Sequence, residues 1–377
     1  MNVKRAYKFR FYPTPEQEQV LAQTFGCARF VYNYMLRVRT DAWLQRREKV
    51  GYHETSSLLT ALKKDPEYAW LGEVSSVPIQ QALRHLQSAF NNFFAKRAQY
   101  PSFKSKHGRQ SATYAASAFK WDGKSLTLAK TKEPLNIRWS RTIPKAAKVT
   151  TCTVSKDPAG RYFVSLLCDD CVASKPAAQS KVGIDLGLTH FAVLSNGEKV
   201  AAPNVLRKYE KRLSLLQRRF SKKQKGSNNR TKARKKVARL HAKIADTRRD
   251  FLHKLSTKLI SENQTIAVET LSVKNMQKNR CLSKAISDAS WSEFLRQLEY
   301  KALWYGRELI GIDRWYPSSK RCNVCGHIES SMPLSKRHWT CPQCKTIHDR
   351  DTNAAINILA AGLAVTVCGE SVRPTAL

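Results

Sequence analysis

Cys322-Asn-Val-Cys325 and Cys341-Pro-Gln-Cys344 are two CxxC pairs separated by 15 residues. Four thiolates presented from two tight turns can surround one tetrahedral Zn2+ at Zn–S distances of about 2.3 Å. Gly326 follows the first pair and lets that turn close. With all four positions filled by protein, the ion is predicted to be structural. It would hold a small insertion carrying Lys336, Arg337, His338 and Trp339, read either as nucleic-acid contacts or as solvated surface. The other cysteines, Cys27, Cys152, Cys168, Cys171, Cys281 and Cys368, are scattered. Cys168 and Cys171 have ligand spacing, but no second pair lies nearby, so they are read as free thiols at a strand end.

Three carboxylates on separate segments form the second constellation. Asp185 lies in the apolar run Val182–Gly187, with Gly187 allowing close backbone approach. Glu269 ends the apolar run Thr265–Val268, and Asp351 starts a helix-like segment, with small residues after it that suit close packing on a sheet. A carboxylate in or ending an apolar strand is costly without a cation or partner. Three converging acids can hold two divalent ions roughly 3.5–4 Å apart, activating water and stabilising a leaving 3′ oxygen of a phosphodiester. Convergence cannot be read from spacing. Each acid can equally cap a helix or pair with Lys or Arg, and Asp349 competes for the third position.

Basic density is the third signal. Residues 207–249 hold eighteen Lys or Arg against Glu210 and Asp246, a net +16. Arg218, Arg219, Lys222, Lys223, Arg234, Lys235 and Lys236 are the candidate phosphate contacts. Tyr209, Leu213, Leu216, Phe220, Val237, Leu240 and Ile244 recur among them, which predicts two helices joined near Gly226–Asn229. A solvated face is the common reading of a charge run. One-sided repulsion favours a hairpin that binds phosphates.

Positioning these groups requires three regions. Residues 4–11 alternate basic and aromatic side chains, predicting a strand. Thr14, Pro15 and Gln17 mark a helix start with a capping box. Helical spacing continues over 53–63 and 78–98, where Ile79, Leu83, Leu86, Phe90, Phe93 and Phe94 form an apolar stripe read as core. Alternating runs at 117–121, 125–129 and 136–140 follow, then a hairpin of 150–155 and 162–167 around Asp157–Gly160. Residues 106–175 thus read as a small β-barrel or sheet that the first strand joins, with a polar linker at 174–181. The last region contains the strand at 182–187, an Asn196-Gly197 hairpin, long helices over 204–260, a strand to Glu269, an amphipathic helix over 290–306, a strand at 309–312 and a helix over 353–361.

The chain has 377 residues, 42% of them hydrophobic, enough for folded cores and for two to three domains. Lys and Arg number 66 against 29 Asp and Glu, a net +37. Such a balance points to a polyanion, foremost nucleic acid, with a ribosome-like basic protein as the bland alternative. No apolar run of membrane-spanning length is present. The start MNVKRAYKFRFYP lacks an apolar core, so no secretory signal and no disulfide framework are expected.

Taken together, GIDLG at 183–187, VET at 268–270, the CxxC pairs and HDRDTNAAINI at 348–358 resemble the TnpB family of transposon-encoded RNA-guided DNA endonucleases, similar to compact type V CRISPR effectors. GCARFVYNYML at 26–36, FLHKLSTKLI at 251–260, SDASWSEFLRQLEYKALWYGRELI at 287–310 and YPSSKRC at 316–322 extend the resemblance over nearly the whole chain. It implies an α+β multidomain protein: an RNase H-like RuvC nuclease with a zinc-ribbon insertion, plus a wedge β-barrel interrupted by a helical recognition domain. The implied boundaries are 1–13 for the first wedge strand, 14–105 for the recognition domain, 106–180 for the wedge and 181–377 for the nuclease, with the ribbon at about 316–347. The tail at 368–377 carries no obvious motif.

On this resemblance Asp185, Glu269 and Asp351 fall on the family's catalytic acids, holding two Mg2+, and the four cysteines hold one Zn2+. The implied partners are a guide noncoding RNA from the transposon end and double-stranded target DNA beside a short flanking motif, with no membrane. The protein is expected as a monomer in a ribonucleoprotein, in the cytoplasm at the prokaryotic nucleoid. Tyr52, Ser56 and Gln80 are candidates to approach bases or phosphates, although helical surface residues are polar by default. Cleavage is expected by metal-dependent phosphodiester hydrolysis, with base pairing reading sequence. The rival readings are a guide-directed DNA-binding regulator, a transposase that joins DNA ends, and a transcription-factor-like zinc module, which leaves Asp185 and Glu269 unexplained.

Overall fold

Tyr7, Phe9 and Phe11 alternate with basic residues along β1 (Asn2–Phe11), and all three are buried. The computed structural model describes residues 1–333 and 335–367. The chain forms two units, one from Asn2 to Cys171 and one of Met1 with the chain from Val172 onward.

In the first unit β1 leads into α1 (Pro15–Arg46) through the expected cap. The Thr14 hydroxyl accepts from the Gln17 amide at 3.3 Å, and Gln17 Oε1 accepts from the Thr14 amide at 3.2 Å. Next come α2 (Tyr52–Leu62), a 3-10 segment (Pro66–Gly72) and α3 (Ser76–Phe94). Ile79, Leu83, Leu86 and Phe90 on α3 pack against Val31, Met35 and Leu36 of α1. The stripe read as core stops there. Phe93 is half-buried and Phe94 is 71% exposed, because α3 ends at Phe94 and Lys96 turns the chain with positive φ.

After α3 come β2 (Gln110–Ala115), β3 (Phe119–Trp121), β4 (Leu126–Leu128), β5 (Ile137–Arg138), β6 (Lys148–Lys156) and β7 (Tyr162–Cys171). One sheet runs β2-β6-β7-β1-β5, so the first strand joins it as expected, while β3 and β4 pair separately. The wall is therefore two sheets sharing one core and not a single closed ladder, with Leu126 and Leu128 packed among Phe9, Phe11, Val154 and Val164. β2 is a strand the sequence pattern did not reveal, since its small and polar residues lack a marked alternation. The run expected from 117 begins at 119, because Ala116–Ala118 form a 3-10 turn.

The second unit contains β8 (Lys181–Leu186), β9 (His190–Leu194), β10 (Lys199–Ala201), α4 (Val205–Ser221), α5 (Asn228–Glu262) and β11 (Thr265–Glu269). Short α6 (Val273–Met276) and α7 (Ser283–Ala289) follow, then α8 (Trp291–Tyr305), β12 (Glu308–Ile312), β13 (His338–Thr340), β14 (Ile347–Asp349) and α9 (Arg350–Val367). The main sheet runs β10-β9-β8-β11-β12, antiparallel through β10-β9-β8 and parallel through β8-β11-β12. This is the RNase H-like arrangement of a RuvC fold. Strands buried on both faces read as continuous apolar runs. Val182, Ile184, Ile266 and Val268 pack with Leu255 and Leu259 of α5 and Phe294 and Leu298 of α8. The other face receives α9, where Ile358 meets Ala267 and Ile312.

Small residues make that second packing possible. A Cβ on Gly183 would overlap the Ala355 carbonyl oxygen and come within 2.7 Å of the Leu359 amide nitrogen. A Cβ on Gly362 would meet the Ala267 methyl at 2.7 Å. The helix carrying Asp351 thus lies directly on the strand carrying Asp185. The tail at 368–377, with Cys368, lies outside the described residues.

Candidate metal centre

Asp185 and Glu269 stand side by side at the ends of adjacent parallel strands. The register pairs Ile184 with Val268, and each acid is the next residue. The carboxyl ends of parallel strands are the usual ligand-binding edge of such sheets. Asp351 arrives in the first turn of α9. Burial pushes the Asp185 carboxyl well above the ordinary aspartate range, and the charges of Glu269 and Asp351 push it further. Arg350 and Arg337 act in the opposite sense. Burial raises Glu269 as well, offset by the Ser318 hydroxyl, which donates to Glu269 Oε1 at 2.8 Å.

Asp349, the competitor in the sequence, is engaged elsewhere. Its Oδ1 accepts from the Thr352 amide at 2.9 Å, capping α9, and Lys199 Nζ donates to its Oδ2 at 2.8 Å. Against a burial that would raise it, these partners hold its carboxyl down at about 2. Asp351 instead meets Arg337 Nη1 at 3.1 and 3.2 Å. Arg337 was marked in the sequence only as part of a basic surface; its contact with an acid of the cluster depends on the ribbon's fold.

The three carboxylates are hard oxygen donors whose mutual repulsion a divalent cation would relieve, so the donor set fits Mg2+. Among the described residues they do not close to the spacing of the cysteine cluster, where the ligand atoms all lie within 4.8 Å of one another.

The thiols fit zinc by geometry. Cys322 and Cys344 Sγ are 3.6 Å apart, as are Cys325 and Cys341 Sγ. A tetrahedron with Zn–S of about 2.3 Å has edges of about 3.8 Å. Hydrogen bonding with the Thr346 hydroxyl and amide brings the Cys344 thiol down to about 6, while in the metal-free cluster its neighbour Cys325 is pushed up to about 12. The four-cysteine cluster thus has the composition of a structural zinc site. Gly326 turns with φ +79° after the first pair. Trp339 is a correction: it is buried in the ribbon's small core with Met332 and two of the cysteines, so it is not surface. Lys336, Arg337 and His338 are exposed. Cys27, Cys152, Cys168 and Cys281 form no disulfide among the described residues.

The basic hairpin is α4 and α5, joined through Gly226 at φ +84°. Its core is small: Val205, Leu213, Leu240 and Ile244, with Leu206, Tyr209, Leu216 and Val237 around them. Arg218, Arg219, Lys222, Lys223, Lys235 and Lys236 are exposed, and Arg234 is half-buried. Arg230 lies 4.4 Å from the Phe220 ring and donates to the Lys223 carbonyl at 2.6 Å, fixing the turn.

In the first unit Tyr52 opens α2 and is half-buried, Ser56 lies one turn on, and Gln80 is exposed near the start of α3. Arg84, on the Gln80 face of α3, sits 5.9 Å over the Tyr52 ring. That brings Tyr52 to the face bearing Gln80 and adds Arg84, which no motif had marked.

Comparison with known proteins agrees with this architecture. Residues 153–280 match the family described as OrfB_IS605, probable transposase, and residues 291–358 match a Cas12f1-like TNB domain. Residues 1–48 match a helix-turn-helix domain, although here they form one strand and one long helix. A Streptomyces pristinaespiralis protein described as "Putative RNA-guided DNA endonuclease" is 58% identical, over 99% of this chain and 92% of its own length. "Putative RNA-guided DNA endonuclease InsQ" of Escherichia coli K12 is 35% identical, over 98% of this chain and 95% of its own. The protein in a cryo-EM structure of a Cas12f1–sgRNA–target DNA complex shares the fold, with a TM-score of 0.59 at 14% identity, over 95% of this chain and 98% of that one. Identity at this level over nearly the full length of both chains, with a RuvC-like sheet and a four-cysteine ribbon in the same order, means that this chain belongs to the TnpB family.

Proposed function

We propose that the protein is an RNA-guided DNA endonuclease that cuts double-stranded DNA beside a short flanking motif, using a guide RNA derived from the transposon end. The observation that carries this reading is the placement of Asp185 and Glu269 side by side on β8 and β11, with Asp351 in the first turn of the helix seated against β8. Three acids far apart in sequence act on one another at one sheet edge, and they are costly there without cations. Asp185, Glu269 and Asp351 would hold two Mg2+, which when bound supply an activated water and stabilise the leaving 3′ oxygen. Ser318 orients Glu269, and Arg337 offers a guanidinium to Asp351 that can also meet a phosphate.

The remaining roles follow from charge and shape. The α4–α5 hairpin carries the phosphate contacts, with Arg218, Arg219, Lys222, Lys223, Lys235 and Lys236 exposed for RNA or a displaced DNA strand. Residues 14–105 serve as the recognition domain, and 1–13 with 106–180 as the wedge. Tyr52, Ser56 and Gln80 approach the flanking duplex. The nuclease occupies 181–377, with zinc holding the ribbon at about 316–347. The working particle is one protein with one RNA, acting on DNA inside a prokaryotic cell.

The test is cleavage of plasmid DNA by the purified ribonucleoprotein with Mg2+. Asp185→Ala and Glu269→Ala should abolish cutting and leave guided binding intact. Full cleavage by either variant would remove the acids from the chemistry. Strand joining by protein stripped of RNA would instead support a DNA-joining transposase, and binding without cutting by the unaltered protein would support a regulator.

A further inference from the structure

His348 opens the HDRDTNAAINI motif at 348–358 but has no part in the reading above. It is buried in β14 at 6% exposure, with its ring 4.8 Å from that of Trp339, the residue it faces on β13. Its Nε2 lies 3.1 Å from Cys322 Sγ. It is outside the thiol set that closes to within 4.8 Å, so it sits beside the ligand sphere and not in it.

The same short stretch of chain is held from the acid side. Asn353 and Asn357 of α9 are buried. Asn353 accepts from the Asn323 amide at 3.0 Å and donates to the Arg321 carbonyl at 2.7 Å. Asn357 donates to the Ser318 and Arg321 carbonyls at 2.9 and 2.6 Å. Ser318, at the start of this stretch, donates to Glu269. Asp351 lies three residues after His348, in the first turn of the helix that bears both asparagines.

We propose that His348 is a positioning residue shared by the two metal centres. Its Nε2–H donates to the Cys322 thiolate and thereby makes zinc loading control the placement of Asp351 and Glu269. A zinc-bound thiolate keeps negative charge, and a buried N–H beside it is the kind of outer contact that stabilises the bound metal. Losing that contact loosens the 318–323 stretch, which Asn353 and Asn357 tie to α9 and Ser318 ties to Glu269. The coupling to the acids rests on the nuclease reading; the hydrogen bond to Cys322 does not.

The experiment uses the full chain with Co2+ in place of zinc, in wild type, His348→Phe and His348→Gln. His348→Phe should move the thiolate-to-cobalt charge-transfer band to lower energy and speed zinc release to a chromogenic chelator about tenfold. His348→Gln, which keeps a donor, should restore both. Mn2+ affinity, read by electron paramagnetic resonance without any cleavage, should fall about three- to tenfold in His348→Phe, on the order of the loss from a disturbed outer contact. Wild-type band and release rate in His348→Phe overturn the proposal, since packing on Trp339 alone would then explain the ring. A shifted band with unchanged Mn2+ affinity overturns the coupling. If His348→Phe does not fold, wild-type protein loaded with 113Cd decides: a proton–cadmium correlation from His348 Nε2–H supports the bond, and none overturns it. If wild type fails to cut DNA, the nuclease reading fails, and these spectroscopic readouts still judge His348.

Discussion

The acid cluster and the basic hairpin belong to one unit and are electrostatic opposites. Asp185, Glu269 and Asp351 meet at the edge of a sheet covered on both faces, where burial raises the cost of each charge. The α4–α5 hairpin carries a net +16 over 207–249 on a core of only a few side chains. The acids are held by rigid packing against their own repulsion. The hairpin is joined to its surroundings by local ties, such as Arg248 to Asp288 at 2.6 Å and Asp288 to the Leu206 amide at 2.9 Å. Each region has ion pairs, Arg337 with Asp351 in one and Arg248 with Asp288 in the other, yet one sign of charge dominates in each. The difference in packing separates acids seated in a well-covered sheet from a basic surface that rests on a small core.

Removing an acid should have the largest effect. Asp185→Ala or Glu269→Ala is expected to reduce guided cleavage on the order of 10³-fold or more, measured in single-turnover assays, while electrophoretic shifts show RNA and DNA still bound. Comparable cutting by the variants would break the contrast, since the acids would then be structural.

Rigidity under the acids is tested next by Gly183→Ala. Its methyl meets backbone atoms of α9, which cannot rotate away. A loss of about 1–3 kcal/mol is expected, seen as a lower Tm by calorimetry. An unchanged Tm would mean that α9 shifts freely and that the sheet does not fix Asp351.

Replacing Arg218, Arg219, Lys222 and Lys223 together by Gln should leave the fold intact, because all four are exposed. Affinity for single-stranded RNA is expected to fall roughly tenfold at moderate salt, and the slope of log K against log salt to drop by about 3. An unchanged slope would make this face merely solvated.

The smallest effect is in metal-free protein. Asp185 has a folded pKa above its unfolded value, so the native state binds more protons over the interval between them. Stability should therefore decline as pH rises from the ordinary aspartate range through that elevated value. Mg2+ should restore it at neutral pH by a few °C, about what 1 kcal/mol gives in a unit of this size. Asp185→Asn should flatten the profile. A rise with pH over that interval would contradict the clustering of the acids.

Much of this was legible in the chain itself. The capping box at Thr14 and Gln17, the turn at Asp157–Gly160 and the Asn196-Gly197 hairpin depend on neighbours within a few residues, and each formed where expected. The exposed Phe94 and buried Trp339 depended on where α3 stops and on how the ribbon closes, neither of which is a local property. Asp349 and Asp351 were equivalent by spacing. The tertiary structure distinguishes them: Asp351 acts on Asp185, while Asp349 caps α9 and pairs with Lys199, 150 residues away.

The sequence by itself determined the zinc site, because all four thiols lie within 23 residues and two tight turns suffice to gather them. It also determined the strongly basic character, since net charge does not depend on fold. Only the tertiary structure decided the acid centre. Its members come from β8, β11 and α9, and their approach depends on strand register and on the glycine contact that seats α9 against β8. Charge repulsion among three carboxylates is long-range in sequence and short-range in space, so it exists only once the sheet has formed.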